Sequence, residues 1–297
     1  MQRAAGAATG QDGTPTFRST SELVLLDVLV LQKKTNTSTA ALRREDLQVL
    51  EDGTPQTISF LSRDELPLSI VMLFDMTDTS RAVLQRLAKG AQSALTHLKP
   101  VDEVAVMVYA AHGRVIAAFA TDREQTAAAI RRPAGENEPG GAFFNEAVWE
   151  AADLLQKSGS PPGRRVVMWL TNNLPNGATA RTVHTESDAF RRLHESGALA
   201  APILALEAPA RHSHPRGDAN KYAELTGGEA IHLGGKKVEE RLSQLIDDLR
   251  SRYTIGYRPA QEKPAGTFCK VQVSLAPGGA LRPKEWKVLA RAGYYRH

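Results

Sequence analysis

The segment FDMTDTS, residues 74–80, combines two carboxylates with three hydroxyls in seven residues. Asp75, Thr77 and Thr79 stand at alternate positions, so their side-chain oxygens can line one side of a small cage. Mg²⁺ takes six oxygen ligands at about 2.0 to 2.1 Å in octahedral geometry, and Mn²⁺ favours similar donors. The spacing therefore makes these three residues candidate ligands of a divalent cation. Asp78 is a second carboxylate that could compensate for a missing ligand, although its place in the spacing directs it away from the cage.

Helix capping is the alternative interpretation of the same residues. Apolar residues recur at helical spacing between residues 80 and 98, so we expect a helix there. A Thr or Asp directly before a helix accepts hydrogen bonds from its first backbone N–H groups, and a carboxylate there interacts favourably with the helix dipole. The residues themselves leave both interpretations open.

The elements around this segment predict an α/β fold. Residues 68–75, LSIVMLFD, form a continuous apolar run of the kind that is buried on both faces in a parallel sheet. Further strand patterns alternate with helix patterns at residues 102–111, 113–121, 164–173, 201–209 and 229–235. The His112-Gly113 pair predicts a turn, which makes residues 113–121 an antiparallel edge strand. We therefore expect a doubly wound, Rossmann-like, mostly parallel sheet over residues 67–253, with ligands bound beyond the carboxyl ends of its strands, where Asp75 lies.

Both ends of the chain have β-strand patterns instead. Residues 47–61 alternate apolar and polar residues on either side of Asp52-Gly53, which predicts a hairpin. Three strand patterns, YTIGYRP, FCKVQVSL and EWKVLARAGYY, follow the last helix pattern. Each flank is too short to bury a core alone, so residues 17–66 and 254–297 are expected to join into one smaller all-β module around the inserted α/β domain. Residues 1–16 are rich in Gly, Ala, Thr and Gln and are predicted to be a disordered tail.

These residues resemble a von Willebrand factor type A domain with its metal-ion-dependent adhesion site. Besides D-x-T-x-T, the matching segments are GGAFFNEAV at residues 140–148 and LTNNLPNG at residues 170–177. The flanks LQVLEDGTPQTISFL and IGYRP…KVQVSL…ARAGYY are similar to those of bacterial proteins related to this family, which are frequent in Acidobacteria. The resemblance covers residues 17–297 and implies metal-site positions at Asp75, Thr77 and Thr79.

Two positions depart from the family pattern. Ala142 stands where the family has a Thr, and Asn172 stands where it has an Asp. Gly140 and Gly141, in the same loop as Ala142, either permit a tight turn or let a ligand approach closely. Because cation affinity follows the number of charged ligands, we expect Mg²⁺ or Mn²⁺ binding to be weak or absent.

The function that the resemblance implies is a non-enzymatic protein-interaction or adhesion module. An acidic residue of the protein partner would complete the coordination of a bound cation. The alternative is a structural scaffold with a dead metal site and a partner surface elsewhere. Many relatives are exported, which favours a periplasmic or secreted location, although the first residues do not have the apolar region of a signal peptide.

Composition excludes several other classes. The net charge is +4 and no Lys/Arg block is interleaved with aromatic residues, so we expect no nucleic-acid partner. No apolar run approaches the roughly 20 residues that span a bilayer. The single cysteine, Cys269, excludes an intrachain disulfide. A hydrolase using His212 or His214 beside Asp218 is the remaining enzymatic hypothesis, and it is disfavoured because no catalytic constellation accompanies these residues.

Overall fold

The computed structural model describes residues 23–38, 42–76, 90, 92–132, 141–173, 175–177, 183–204, 217–232 and 238–296. Among the residues singled out above, Thr77, Asp78, Thr79, Gly140, His212, His214 and the predicted tail lie outside these ranges. The described helices are α1 (Arg123–Arg131), α2 (Phe144–Gln156), α3 (Glu186–Ser196), α4 (Ala219–Thr226) and α5 (Val238–Arg250), and residues 92–95 are also helical.

A six-stranded sheet forms the centre of the α/β part. Its strands are β5 (Ser69–Asp75), β6 (Glu103–Tyr109), β7 (Gly113–Ala120), β8 (Arg165–Thr171), β9 (Ala198–Leu204) and β10 (Ile231–His232). The order across the sheet is β10-β9-β8-β5-β6-β7, and every pair is parallel except β6 with β7. The α/β prediction and the antiparallel edge strand are therefore confirmed. The chain leaves β5 toward β6 and later returns to add β8 on its other side, so β5 and β8 flank the switch point.

Helices cover both faces of this sheet, which explains its continuous apolar strands. On one face, α2, α3 and α4 bury residues such as Phe144, Leu193 and Tyr222 against β5, β6, β8 and β9. On the other face, α1, α5 and residues 94–98 bury a second cluster that includes Leu245. Because β5, β6, β8 and β9 are buried on both sides, their hydrophobic patterns are continuous rather than alternating.

The two ends of the chain pair with each other in two four-stranded antiparallel sheets. The strands are β1 (Val24–Gln32), β2 (Leu47–Glu51), β3 (Thr54–Gln56), β4 (Ile58–Arg63), β11 (Tyr253–Tyr257), β12 (Phe268–Leu275), β13 (Trp286–Ala290) and β14 (Gly293–Tyr295). One sheet has the order β13-β1-β11-β4 and the other the order β14-β12-β2-β3. A third hydrophobic cluster, which contains Leu26, Val49, Ile255 and Val271, brings residues of both sheets together.

Two details of the flanking strands differ from the sequence prediction. The Asp52-Gly53 turn forms, with φ of +47° and +84°, but its second strand ends at Gln56. The chain then passes into β4, where Ile58 and Phe60 pair with β11 in the other sheet. The segment EWKVLARAGYY is likewise two strands, because the chain crosses from one sheet to the other at residues 291 and 292. A pattern of alternating residues does not reveal a change of pairing partner.

No helix in the described ranges is long and apolar enough to cross a membrane.

Candidate functional site

Asp75 and Thr171 meet at the carboxyl ends of β5 and β8. Parallel pairing of Phe74 with Leu170 places the next residue of each strand side by side. Asp75 Oδ2 lies 3.5 Å from the Thr171 hydroxyl and 3.5 Å from the backbone nitrogen of Asn172. Asp75 is only 1% exposed. The switch point of the sheet therefore holds a buried carboxylate. The sequence predicts the same place for Asp75, at the carboxyl end of a buried strand.

Buried aromatic donors lie beneath this carboxylate. Tyr109 ends β6 directly beside Asp75, and its hydroxyl donates to Thr171 Oγ1 at 3.3 Å. Trp169 Nε1 in turn donates to the Tyr109 hydroxyl at 2.9 Å. Burial, reinforced by the neighbouring Asp75 carboxylate, raises the pKa of Tyr109 well above its usual range. Tyr109 is thus a neutral group near neutral pH, which fixes Thr171 without adding charge.

The loop before α2 carries Ala142 into an apolar environment. Ala142 is buried with residues of the cluster between α2 and the sheet. The loop is anchored by hydrogen bonds from Phe143 N to the Ala110 carbonyl at 2.9 Å and from Gly177 N to the Ala142 carbonyl at 2.7 Å. A methyl group at Gly141 or Gly177 would lie 3.1 to 3.2 Å from the Phe143 ring, so this ring holds both loops close together.

Asparagines in the loop that follows β8 fasten this loop to two helices. Asn173, at φ +53°, donates its backbone N–H to Thr171 Oγ1, and its side-chain oxygen accepts from Ala219 N at 3.2 Å, where α4 begins. Asn176 Oδ1 accepts from Asn145 N at 2.9 Å in the first turn of α2. The Asn145 side chain accepts from the Tyr222 hydroxyl at 2.6 Å. These contacts give the loop around Asn172 a defined position relative to Asp75.

Sequence reasoning missed most of these supporting residues. Tyr109, Trp169 and Thr171 lie inside strand patterns that predict burial and say nothing of hydrogen bonds. The available signals were the strand-end positions of Tyr109 and Thr171, and the run of asparagines at residues 172, 173 and 176, since Asn is favoured in turns and at helix starts.

The described donors do not fit a tight divalent-cation site. Asp75 supplies one carboxylate, Ala142 has no side-chain oxygen, and Asn172 is neutral. A Mg²⁺ cage needs six oxygens, and its affinity depends on the number of charged ligands. The predicted ligands Thr77 and Thr79 and the neighbouring Asp78 lie outside the described residues, so their part in a site stays a prediction.

A second group with acidic residues lies in the flanking sheets and has other partners. Ligand atoms of Glu51, Asp52 and Cys269 lie within 4.8 Å of one another. The Glu51 carboxylate, however, accepts from the hydroxyls of Tyr257 and Tyr294 at 2.7 and 2.9 Å. Asp52 forms an ion pair with a lysine and accepts a backbone N–H, and these contacts lower the pKa of its carboxyl. This cluster is therefore a hydrogen-bonded part of the flanking sheets.

Comparison with known proteins gives a likeness of fold. No protein-family model matches the sequence, and no curated protein matches it. Among solved structures, the pilus adhesin SpaC of Lactobacillus rhamnosus GG is similar over 91% of this chain and 47% of its own, with 9% identity and a TM-score of 0.50.

Two further solved structures show the same kind of likeness at slightly lower scores. A von Willebrand factor type A protein of Catenulispora acidiphila covers 93% of this chain and 75% of its own, with 13% identity and a TM-score of 0.49. BatB of Bacteroides thetaiotaomicron covers 61% of this chain and 98% of its own, with 15% identity and a TM-score of 0.46. The parallel sheet of this chain, with its antiparallel edge strand, therefore has a fold similar to that of the SpaC structure.

Proposed function

We propose that the chain is a non-enzymatic protein-interaction or adhesion module that binds a protein partner at one face. This loop face comprises Asp75, residues 141–143, residues 172–173 and residues 175–177. The observation that carries the proposal is the buried Asp75 carboxylate at the switch point, between two loops that hydrogen bonds fasten to each other. Such prior ordering reduces the entropy that a partner must overcome when it binds.

The proposal includes weak binding of a divalent cation at the loop face. Asp75 with Thr77 and Thr79 retains only low affinity for Mg²⁺ or Mn²⁺, because Ala142 brings a methyl group and Asn172 no charge. The burial of Ala142 in an apolar cluster supports this conclusion. It equally favours the second candidate function, a scaffold in which the metal site is dead and the partner surface lies elsewhere.

The flanking sheets and the location complete the proposal. We assign the two antiparallel sheets to one all-β module that carries the α/β domain, since strands from both ends of the chain contribute to each sheet. One similar structure is a pilus adhesin and another is described as an aerotolerance-related membrane protein. These neighbours support an extracytoplasmic location and an adhesive role for this chain.

Quantitative affinity capture from the envelope fraction of the source organism tests the loop face. The immobilised proteins are the natural chain, the loop-face variant Asn172→Arg and the matched variant Gln272→Arg, which alters β12 in the flanking sheet. We expect a partner that the natural chain and Gln272→Arg retain equally and that Asn172→Arg loses. Circular dichroism confirms that both variants are folded.

The scaffold alternative predicts the opposite pattern. If Gln272→Arg loses the partner while Asn172→Arg retains it, the binding surface lies on the flanking sheets and the loop-face proposal is wrong. Hydrogen exchange of the complex gives an independent footprint, since slowed exchange should be confined to the loop face.

A further inference from the structure

A small cavity lies where α3 meets the flanking sheets. Its volume is about 110 Å³, which is room for a ligand of a few heavy atoms. Leu23, Leu25, Pro162 and Tyr295 supply apolar surface to its walls. Arg291 and His194 supply polar groups. The cavity lies apart from the loop face, because its residues belong to the end of α3 and to the strands of the flanking sheets.

Arg291 brings an uncompensated positive charge to this cavity. The side chain is only 5% exposed, although one guanidinium can donate five hydrogen bonds. Within the described part of the chain, Arg291 forms no ion pair and its guanidinium donates no hydrogen bond. Asp27 is the described carboxylate whose charge acts on it.

Asp27 is already occupied by two other arginines. Its Oδ2 accepts from Arg252 Nε at 2.7 Å, and its Oδ1 lies 4.0 Å from Arg164 Nη1. All three guanidiniums and the carboxylate are at most 7% exposed. Asp64 also acts on Arg164, and Asp248 acts on Arg252. Among the described carboxylates, Asp27 is the one that acts on Arg291. A buried charge without a counter-charge is strongly unfavourable, so a further anion is expected beside Arg291.

The other polar groups of the cavity do not supply that anion. Glu195 lines the cavity, but Arg191 Nε at 2.8 Å and Arg192 Nη1 at 3.4 Å bind its two oxygens. His194 is neutral at pH 7, because burial and the charge of Arg291 lower its pKa to about 4. Burial lowers the pKa of Arg291 to about 10, which leaves its guanidinium protonated at pH 7.

We propose that this cavity binds a small organic acid whose carboxylate pairs with Arg291 and whose short apolar tail contacts Leu23, Leu25 and Tyr295. Arg296 also lines the cavity, but it pairs with Glu51 at 3.3 Å, so Arg291 is the guanidinium available to a ligand. A guanidinium pairs with a carboxylate through two parallel hydrogen bonds. The apolar walls distinguish such an acid from inorganic anions, which have no apolar part. The same carboxylate chemistry exists in the chain itself, because Glu22 directly precedes Leu23.

Thermal unfolding with butyrate as the probe tests the proposal. The controls are butyramide, which has the same tail without the charge, and chloride and inorganic phosphate at equal ionic strength. At ten times its Kd, butyrate should raise the Tm of the natural chain by roughly 3 to 5 °C. Butyramide, chloride and phosphate should produce no comparable rise. An equal rise with phosphate would make this an inorganic-anion site and overturn the proposal.

Variants locate the effect and identify the source of the carboxylate. Arg291→Met should abolish the butyrate response, whereas Arg258→Met, which alters an exposed arginine, should keep it. A response that persists in Arg291→Met overturns the proposal. A response that occurs only in Glu22→Gln also overturns it, since the carboxylate of the chain itself then fills the cavity.

A variant at the opening of the cavity provides a second test of the proposal if Arg291→Met does not fold. Leu23 is 42% exposed and lines the cavity, so Leu23→Glu is compatible with folding and brings a carboxylate close to Arg291. The proposal predicts that Leu23→Glu loses most of the butyrate response. An undiminished response would place butyrate elsewhere on the protein and contradict the assignment.

Discussion

Arg250 and Asp102, which lie 148 residues apart in the chain, form a buried ion pair. The pair lies at the amino-terminal ends of the central strands, at the opposite end of the sheet from the loop face. Arg250 Nη1 donates to the two carboxylate oxygens of Asp102 at 2.8 and 3.1 Å. The same carboxylate accepts the backbone N–H groups of Leu68 and Lys99, each at 2.8 Å. One side chain therefore joins the end of α5 to the segments that lead into β5 and β6.

Removing this carboxylate should destabilise the protein strongly. We expect Asp102→Ala to lower the free energy of unfolding by about 3 to 5 kcal/mol, because it leaves two backbone N–H groups without an acceptor and removes the buried carboxylate from Arg250, which among the described residues keeps only its contacts with the more exposed Asp64. Asp247→Ala is the matched control, since Asp247 is 51% exposed and pairs with His97 at the surface. That change should alter stability by less than about 1 kcal/mol. Urea unfolding measures both, and equal effects would show that the buried pair is not a stabilising junction.

Much of this architecture was accessible from the sequence. The continuous apolar run that ends at Asp75 predicted a parallel strand, and the His112-Gly113 turn predicted the antiparallel edge. Both predictions depend on local patterns of burial, which a strand retains whatever its neighbours are. The change of sheet after Gln56 and at Arg291 escaped prediction because it depends on which strand pairs with which, and that choice is made by residues far away in the chain.

The residues of the candidate site were predictable only at the positions that the motif spacing and the family resemblance mark. Asp75, Ala142 and Asn172 were found from the spacing and from the resemblance. Tyr109 and Trp169 were not found, because a hydroxyl or an indole N–H inside an apolar strand looks like any other large buried residue. The hydrogen bonds that join them to Thr171 depend on strand register, which no single strand pattern contains.

The Tyr109 hydroxyl should contribute measurably to stability. Tyr109→Phe removes the acceptor of Trp169 Nε1 and leaves that buried indole N–H unpaired, which costs about 1 to 3 kcal/mol. Tyr295→Phe is a suitable control because Tyr295 lies in the flanking sheets, outside this hydrogen-bonded chain. Chemical unfolding followed by tryptophan fluorescence measures the difference. A Tyr109→Phe variant as stable as the natural chain would mean that the hydroxyl has no structural role.

Two glycines with similar backbone angles should respond very differently to alanine. Gly53 has φ +84° with no atom within 4 Å of an added Cβ, whereas Gly227 has φ +79° and an added Cβ would lie 2.4 Å from the carbonyl carbon of Ala290. Gly53→Ala should therefore cost only the backbone strain, about 1 kcal/mol. Gly227→Ala carries the same strain and must also displace the backbone between β13 and β14.

Comparing the two variants isolates the effect of close packing. We expect the free energy of unfolding of Gly227→Ala to fall at least about 2 kcal/mol below that of Gly53→Ala, as overpacking against a fixed backbone does. Denaturant titration of both variants measures this difference in the free energy of unfolding. Indistinguishable values would mean that the contact between the end of α4 and the flanking sheet is loose.

His194 should make the protein less stable in mild acid. Its pKa is about 4 in the folded protein, below the value of about 6.5 in the unfolded chain. Between these values the unfolded chain binds more protons than the folded protein, so stability falls as the pH drops from about 6.5 toward 4. The contribution approaches roughly 3 kcal/mol at the acid end.

The pH dependence can be assigned by substitution. His194→Gln should flatten the curve of unfolding free energy between pH 6.5 and 4, relative to the natural chain. His232→Gln removes an exposed imidazole and should leave the slope intact. Curves of unchanged slope for His194→Gln would show that another group is responsible for the acid sensitivity.

Introducing the two ligands that the family pattern has at positions 142 and 172 should create a strong cation site beside Asp75. In the natural chain, a Kd of about 1 mM would give only about 0.4 kcal/mol of stabilisation at 1 mM Mg²⁺ or Mn²⁺, a shift in Tm of less than about 2 °C. The double variant Ala142→Thr, Asn172→Asp adds a hydroxyl and a second carboxylate. With a Kd near 10 μM, the same ion concentration adds about 2.7 kcal/mol and shifts the Tm by about 5 to 8 °C.

The double variant should also differ in stability from the natural chain when no metal is present. After EDTA treatment, the double variant should be less stable than the natural chain, because the Asp75 carboxylate lies 3.5 Å from the backbone nitrogen of residue 172, and a second carboxylate on that residue would repel it. Adding Asp75→Asn should remove both the repulsion and the cation response. A double variant that gains no response would show that the backbone around Asp75 no longer has the geometry of a cation site. In that case the backbone conformation prevents metal binding, and the side chains at positions 142 and 172 are not the cause.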